Sequence, residues 1–368
     1  MIGSKQIFFA IFFICVSAFA ERAQTADYRV VTQDERVVSS KLEIQRNPKN
    51  AEAHYNLAQA YYDHAYYANA VEGYEAAIKL NPKFVEAYIG LGLVYSPDDR
   101  NYKTTAIEYF TKAIKIDPKN AIAYFHRGRT HHYGGYYEAN TSSAIADYTK
   151  AIELDPKYSD AYYERANSYI GLGDYPSAIG DCTKAIAINP KYTMSYYQRG
   201  VAHFYLKEYS ASIKDFTKTI ELDPQNLWAH YSRGLAYYNL GKYQAAIANY
   251  TKAIAINPKY GDAYYFRASS YYNLKDFQRA IADYTEAIML DSNAASAFNF
   301  RAMSHAKLEN YMEASDDARY ACNAGICEAF ESLKNRGLLV EEEEYENSKC
   351  ESHDNCNNLV DDMYENNH

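Results

Sequence analysis

Two residue patterns in this chain have chemical potential. The first pairs arginine with an acid at fixed spacing. Arg165 with Asp181, Arg199 with Asp215, Arg267 with Asp283, and Arg301 with Asp317 share one separation. Arg127 and Asp147 repeat the pair at a slightly longer one, and Arg233 is followed by Asn249 at the common one. A guanidinium and a carboxylate form a bidentate, charge-assisted pair, which holds structure or a charged ligand and carries no catalytic step alone. The second pattern is doubled tyrosine, as in GDAYYFRASSYYNLKDF, within a chain of 41 Tyr, 15 Phe and one Trp. Tyrosine offers wide contact area, two torsions and a polar tip, which suits recognition. No phosphate loop or Ser-His-Asp order stands beside these patterns. His126, His131 and His132 lack metal-ligand spacing, and so do the C-terminal cysteines with His353. The chain is therefore expected to be no enzyme, with no metal and no cofactor.

The elements that must position these residues are repeats. Asn/Asp-Pro recurs at Pro48, Pro82, Pro118, Pro156, Pro190, Pro224 and Pro258, and Asp291-Ser292 continues the series. The period is about 34 residues, a length that marks a repeating helical unit. It is longer only in repeats two and three. Repeats counted from the third residue after each proline begin at Ala51, Val85, Ala121, Ser159, Thr193, Leu227, Gly261 and Ala295. Each holds two stretches with apolar residues at three-and-four spacing, separated by a polar turn such as LGDYP and ended by the proline. The spacing predicts an antiparallel helix pair whose apolar faces are covered only when neighbours stack. Two and four extra residues in repeats two and three are expected between their helices.

The sixth repeat, LWAHYSRGLAYYNLGKYQAAIANYTKAIAINPKY, carries large residues at positions 4 and 11 (His230, Tyr237). Small residues stand at 8, 20 and 27 (Gly234, Ala246, Ala253), an aromatic at 24 (Tyr250) and proline at 32 (Pro258). This closely resembles the tetratricopeptide repeat family, over residues 51–325. The resemblance implies an all-α, right-handed superhelical solenoid of antiparallel helix pairs, with a concave groove lined by the first helices. Positions 4, 8 and 11 then form the packing stripe, with Tyr264 and Tyr271 in the core. Positions 5, 9 and 12 lie about 100° away, on the groove side. The expected partner-binding stripe is Tyr163, Tyr197, Tyr231 and Tyr265, flanked by Phe204, Tyr238 and Tyr272.

Arginine at position 7 has a different expected role. It appears only where position 23 is Asp or Asn; repeats one and two have Leu57 with Gly73 and Leu91 with Tyr109. An internal ladder follows: Arg127–Asp147, Arg165–Asp181, Arg199–Asp215, Arg233–Asn249, Arg267–Asp283 and Arg301–Asp317. The family's carboxylate clamp needs lysine and asparagine at groove positions. Here position 5 has no lysine and Asn167 stands alone at position 9, so clamp binding of a C-terminal peptide is not expected.

The ends read differently. Residues 1–20 resemble a secretory signal peptide, with one lysine, an apolar run from Ile7 to Ala20 and an A-x-A site at Ala18–Ala20. Residues 21–50 form a lead containing a degenerate capping helix over 33–46, residues 326–340 a closing helix, and residues 341–368 an acidic disordered tail. That tail carries 10 acids and one base, which leaves 37 of each before it. A neutral body gives no support for nucleic-acid binding, which needs a basic stripe, so no nucleic-acid partner is expected. Cys182, Cys322, Cys327, Cys350 and Cys356 follow the signal, and an oxidising compartment would let the last four pair, in a connectivity left open. Asn140 and Asn249 fit the glycosylation sequon. The expected function is an exported scaffold or assembly factor in the periplasm, outside the cell or in a secretory lumen, binding a protein or peptide in the tyrosine-rich groove. The alternatives are a glycan receptor and an enzyme accessory subunit.

Overall fold

The computed structural model describes residues 34–96, 103–133, 138–290 and 295–340. The signal-like segment and the acidic tail, with Cys350 and Cys356, lie outside the described residues. Those residues form α-helices and no strand. Helix α1 (Glu35–Arg46) precedes four pairs: α2 (Ala51–Asp63) with α3 (Tyr67–Leu80), α4 (Val85–Val94) with α5 (Lys103–Ile116), α6 (Ala121–Tyr133) with α7 (Glu138–Leu154), and α8 (Ser159–Leu172) with α9 (Tyr175–Ile188). These belong to a compact unit ending at Pro190. A second unit, from Lys191, holds α10 (Thr193–Tyr205) with α11 (Tyr209–Leu222), α12 (Leu227–Asn239) with α13 (Tyr243–Ile256), α14 (Gly261–Asn273) with α15 (Phe277–Leu290), α16 (Ala295–Lys307) with α17 (Tyr311–Asn323), and α18 (Glu328–Asn335).

The Asn/Asp-Pro junctions show why a short polar residue stands before the proline. The proline has no N–H to give, so the chain turns around it. The side chain of Asn81, Asp117, Asp155 or Asn257 accepts the backbone N–H of the lysine two residues on, at 3.1, 3.0, 2.9 and 3.0 Å. This is the turn that Asn and Asp side chains favour. Asn226 then caps α12, accepting the Ala229 N–H at 3.0 Å. The third repeat departs from expectation: α7 has 17 residues, so part of the insertion continues the helix instead of enlarging the turn.

Within each unit the core is carried by position 24. Tyr74, Phe110, Tyr148, Phe216, Tyr250 and Tyr284 are fully buried. Each ring lies over position 8 of its own repeat, which must be small. A Cβ on Gly234 would sit 2.6 Å from the Tyr250 ring, and one on Gly200 would sit 2.8 Å from Phe216. The other side of the ring meets position 6 of the next repeat: Phe110 stacks on His126, Tyr250 on Phe266 and Tyr284 on Phe300. Tyr237, Tyr264 and Tyr271, at the positions expected to be core, are only partly buried. Position 24 fills that space first, and its ring bridges adjacent repeats.

The ends are covered. Val37 of α1 joins the cluster around Ala58, Tyr61 and Tyr74. Ala329 and Leu333 of α18 pack on Ala302, Ala314 and Ala318. Asn299, where most repeats carry an aromatic, accepts the Ala329 N–H at 2.9 Å and so caps α18 from another helix. Cys322 and Cys327 form a disulfide joining the end of α17 to the start of α18.

The Tyr250 hydroxyl in this core is unmatched. Tyr74 donates to Gln59 at 3.0 Å, and Tyr284 shares a 3.0 Å hydrogen bond with Ser269, both partners at position 9. In the sixth repeat position 9 is Leu235, and the Tyr250 hydroxyl is buried without a partner. Tyr250→Phe, the residue repeats two and five use, removes a donor left dry. It is expected to raise stability by about 1 kcal/mol in urea unfolding. A lower midpoint for Tyr250→Phe would refute this account of the core.

Candidate functional site

The arginines form a fork between helices. Arg199 Nε and Nη2 donate to Asp215 Oδ2 and Oδ1 at 2.8 and 2.7 Å, and the same bidentate pair joins Arg127 to Asp147, Arg165 to Asp181, Arg267 to Asp283 and Arg301 to Asp317. Arg233 Nε donates to Asn249 Oδ1 at 2.8 Å. The pairs are largely buried, with Arg199 21% and Asp215 8% exposed. Beneath the guanidinium lies the ring at position 4: Tyr124, Tyr162, Tyr196, Tyr264 or Phe298, at 5.2–5.8 Å. The first tyrosine of each doublet is thus the bed of an arginine.

A third contact escaped the sequence reading. Nη1 crosses to the preceding repeat and donates to a threonine at position 25: Arg127 to Thr111 at 3.2 Å, Arg165 to Thr149 at 2.9 Å, Arg233 to Thr217 at 3.0 Å, Arg267 to Thr251 at 3.1 Å and Arg301 to Thr285 at 2.9 Å. The signal was present. Threonine stands at position 25 in repeats two to seven, each time one repeat before an arginine, whereas Glu75 stands before Leu91.

The expected binding stripe requires correction. Tyr163, Tyr197 and Tyr231 are 9%, 7% and 2% exposed, and Tyr265 is only partly exposed. In the sixth repeat the last residue, Tyr260, covers Tyr231. Tyr260 lies edge-on to Tyr231 at 5.0 Å, and Tyr250 and Phe266 close its other sides at 5.9 and 6.0 Å. Burial pushes the Tyr231 hydroxyl well above the usual phenol range. Tyr163, Tyr197 and Tyr231 are core, and a partner cannot reach them without opening the repeat; Tyr265 stays partly exposed.

The flanking residues stay accessible. Phe204, Tyr238 and Tyr272, at position 12, are partly exposed, each resting on the ring that opens the second helix: Tyr209 at 5.4 Å, Tyr243 at 5.5 Å and Phe277 at 5.4 Å. Exposed Asn239 and Asn273 follow the two tyrosines at position 13, and Asn273 Nδ2 donates to the Tyr238 hydroxyl at 3.2 Å. Tyr272 also walls a cleft of about 160 Å³ between the last repeat and α18, with Met303, Lys307, Glu328 and Arg336 around it. The sequence reading singled out none of these four.

The first unit holds a polar cluster on the same stripe. Arg129 lies 3.7 Å from the buried Glu164, His132 Nδ1 is 3.1 Å from Ser168 Oγ, and the buried Asn167 Oδ1 has no partner. Packing around the rings, helped by the Arg129 charge, lowers both His126 and His132 to about 4. Among the described residues no group of three His, Cys, Asp or Glu side chains is placed to hold a metal.

Models of the tetratricopeptide repeat match residues 159–192, 227–260 and 261–294, and also 51–84 and 85–120, while a TPR repeat model matches 140–173 and 202–241. Together they span more than half of the chain. No curated protein matches. Among solved structures, PilF of Pseudomonas aeruginosa is 18% identical with a TM-score of 0.51, over 60% of this chain and 97% of that one. A tetratricopeptide repeat protein from Parabacteroides merdae is 20% identical with a TM-score of 0.48, over 69% and 98%. YrrB, described as having an unusual peptide-binding site, is 23% identical with a TM-score of 0.47, over 53% and 98%.

Three measurements check this geometry. Asp215→Ala strands Arg199 and is expected to cost about 2–3 kcal/mol, with much of the loss recovered in the Asp215→Ala, Arg199→Leu double variant; a cycle without coupling energy refutes the pair. Tyr231→Ala is expected to destabilise by roughly 3–5 kcal/mol, as loss of a core ring does, and a melting temperature close to wild type would return Tyr231 to the surface. Because folding holds His126 and His132 near 4, against about 6.5 unfolded, the unfolded chain binds more protons between those values. Stability therefore falls as pH drops from about 6.5 toward 4. The loss is on the order of 1–2 kcal/mol per ring, below full linkage because each ring keeps some exposure. His126→Phe, the residue repeats seven and eight use at position 6, is expected to flatten this slope; an unchanged slope in pH-dependent unfolding counts against it.

Proposed function

We propose that this chain, which belongs to the tetratricopeptide repeat family, is a non-catalytic scaffold that binds a protein or peptide along the position-12 face of its second unit. The observation that carries the reading is the row Phe204, Tyr238 and Tyr272. Its rings are held in place by their neighbours yet partly open, and the row runs into the cleft walled by Lys307, Glu328 and Arg336. Preorganised aromatic area with polar groups at its edge is what a binding hot spot needs, because little side-chain entropy remains to be lost. The polar rim favours an extended peptide, whose amides can meet Asn239 and Asn273, and the charges of the cleft favour a polar or charged side chain at its end.

Export is part of the proposal. The signal-like residues 1–20 support it, and the disulfide between Cys322 and Cys327 suits an oxidising compartment. Among the described residues no helix is long and apolar enough to cross a membrane.

The experiment pans a displayed random-peptide library on the full chain and measures the affinity of a selected peptide. Tyr238→Ala and Tyr272→Ala are each expected to weaken it about tenfold, near 1–2 kcal/mol, and to leave the melting temperature close to wild type. Unchanged affinity in both variants overturns the reading. Failure to select any peptide, with binding on a glycan array lost in the same variants, would instead assign the row to sugar stacking. An intact mass of the native protein that retains Met1 to Ala20 would overturn export.

A further inference from the structure

The sixth repeat lacks the charge balance that the fifth and third repeats keep. In the fifth repeat Arg199 meets Asp215, and Lys218 meets Glu221 at 3.0 Å. The third repeat has the same set, Arg127 with Asp147 and Lys150 with Glu153. At the equivalent places of the sixth repeat stand Arg233, Asn249, Lys252 and Ala255. Both cations are kept and both acids are gone. The ring beneath the guanidinium is also replaced, because position 4 is His230 instead of tyrosine.

The hydrogen bonds show what this does to the fork. Arg233 Nε reaches Asn249 Oδ1 and Nη1 reaches Thr217, as in other rungs. In the other five, Nη2 donates to the second carboxylate oxygen at 2.7–2.8 Å. Here the matching atom is Asn249 Nδ2, itself a donor, which gives one hydrogen to the Ala245 carbonyl at 2.7 Å. The arginine edge therefore meets a donor where every sister rung supplies an acceptor. Arg233 is partly exposed and Lys252 exposed, so the uncompensated edge opens to solvent. Burial first, and then the charges of Arg233 and Lys252, hold the His230 ring below its ordinary pKa, which favours the neutral ring over a third cation at the site.

We propose that this rung is a docking point for one acidic side chain of a partner, whose carboxylate accepts from Arg233 Nη2 and is attracted by Lys252. A carboxylate fits because it is the group that completes each of the other arginine–aspartate rungs, and a charge-assisted bond to a guanidinium is strong. Position 7 lies about 160° around the helix from position 5, so this point is outside the position-12 face and independent of the peptide reading given for it. Asn249 also fits a glycosylation sequon, but its buried amide oxygen is already held by Arg233. A glycan there would break the rung.

The test uses the full chain and a fluorescein-labelled hexaglutamate peptide, read by anisotropy at low ionic strength. Asn249→Asp supplies the missing carboxylate internally. It is expected to weaken peptide binding at least about tenfold while raising the melting temperature, so misfolding cannot explain the loss. Tyr272→Ala, on the other face, is expected to leave hexaglutamate affinity unchanged. Equal affinity in wild type and Asn249→Asp, or no binding by wild type, overturns the proposal. So does a lower melting temperature for Asn249→Asp, which would mean the sixth rung is not short of an acceptor. Displacement of the peptide by inorganic phosphate at equal concentration would overturn the acidic side chain in favour of a general oxyanion site.

Discussion

Everything else in this fold depends on how one helix pair registers against the next, and the arginine fork fixes that register. A guanidinium has five N–H donors in one plane. In the Arg267 rung two of them bind the aspartate of the second helix in the same repeat, and a third binds the threonine of the repeat before; the Arg127, Arg165 and Arg301 rungs repeat this. One side chain thus ties three helices at a set height. Apolar packing alone would let ridges slide by a turn at modest cost, whereas a slipped fork leaves a charge largely out of water without its partner, which costs several kcal/mol. The device serves specificity of stacking more than net stability. Repeats one and two manage without it, using leucine at position 7.

The second constraint is volume. The ring at position 24 lies between a small residue at position 8 of its own repeat and the flat or small residue at position 6 of the next. Gly234, Tyr250 and Phe266 show the sequence of contacts, and a single added Cβ at Gly234 would enter the ring. Close packing of this kind leaves no room for the position-5 side chain to swing outward. In the sixth repeat it is closed in by Tyr260, and there the first-helix stripe splits into a buried Tyr231 at position 5 and a partly open Tyr238 at position 12. Binding capacity follows from that split.

Departures from the pattern are where individual character enters. Asn299 replaces an aromatic and caps the closing helix, and the disulfide of Cys322 and Cys327 tightens the same corner. Leu235, Asn249 and His230 fall within one repeat. They remove a hydrogen-bond partner from Tyr250, a carboxylate from Arg233 and a ring from beneath it. One repeat so altered among regular neighbours has a stable frame to hold it, because adjacent repeats contribute interface energy of their own.

The sequence by itself determined the helix pairs, their number and the fork between arginine and aspartate. These rest on local rules: three-and-four spacing, proline at fixed intervals, and residue types that change together, as Leu57 does with Gly73 and Arg199 with Asp215. The threonine at position 25 was equally legible, since it too changes in step with the arginine one repeat later. Exposure was not legible. Helical periodicity gives the direction of Tyr231 and Tyr238 around the axis but not what lies in front of each. Tyr231 is closed off by Tyr260, from the far end of the same repeat, while Tyr238 rests on Tyr243 with one side open. That difference arises only when the turn after the second helix folds back over the first, so the tertiary structure alone decides which tyrosines form core and which face a partner.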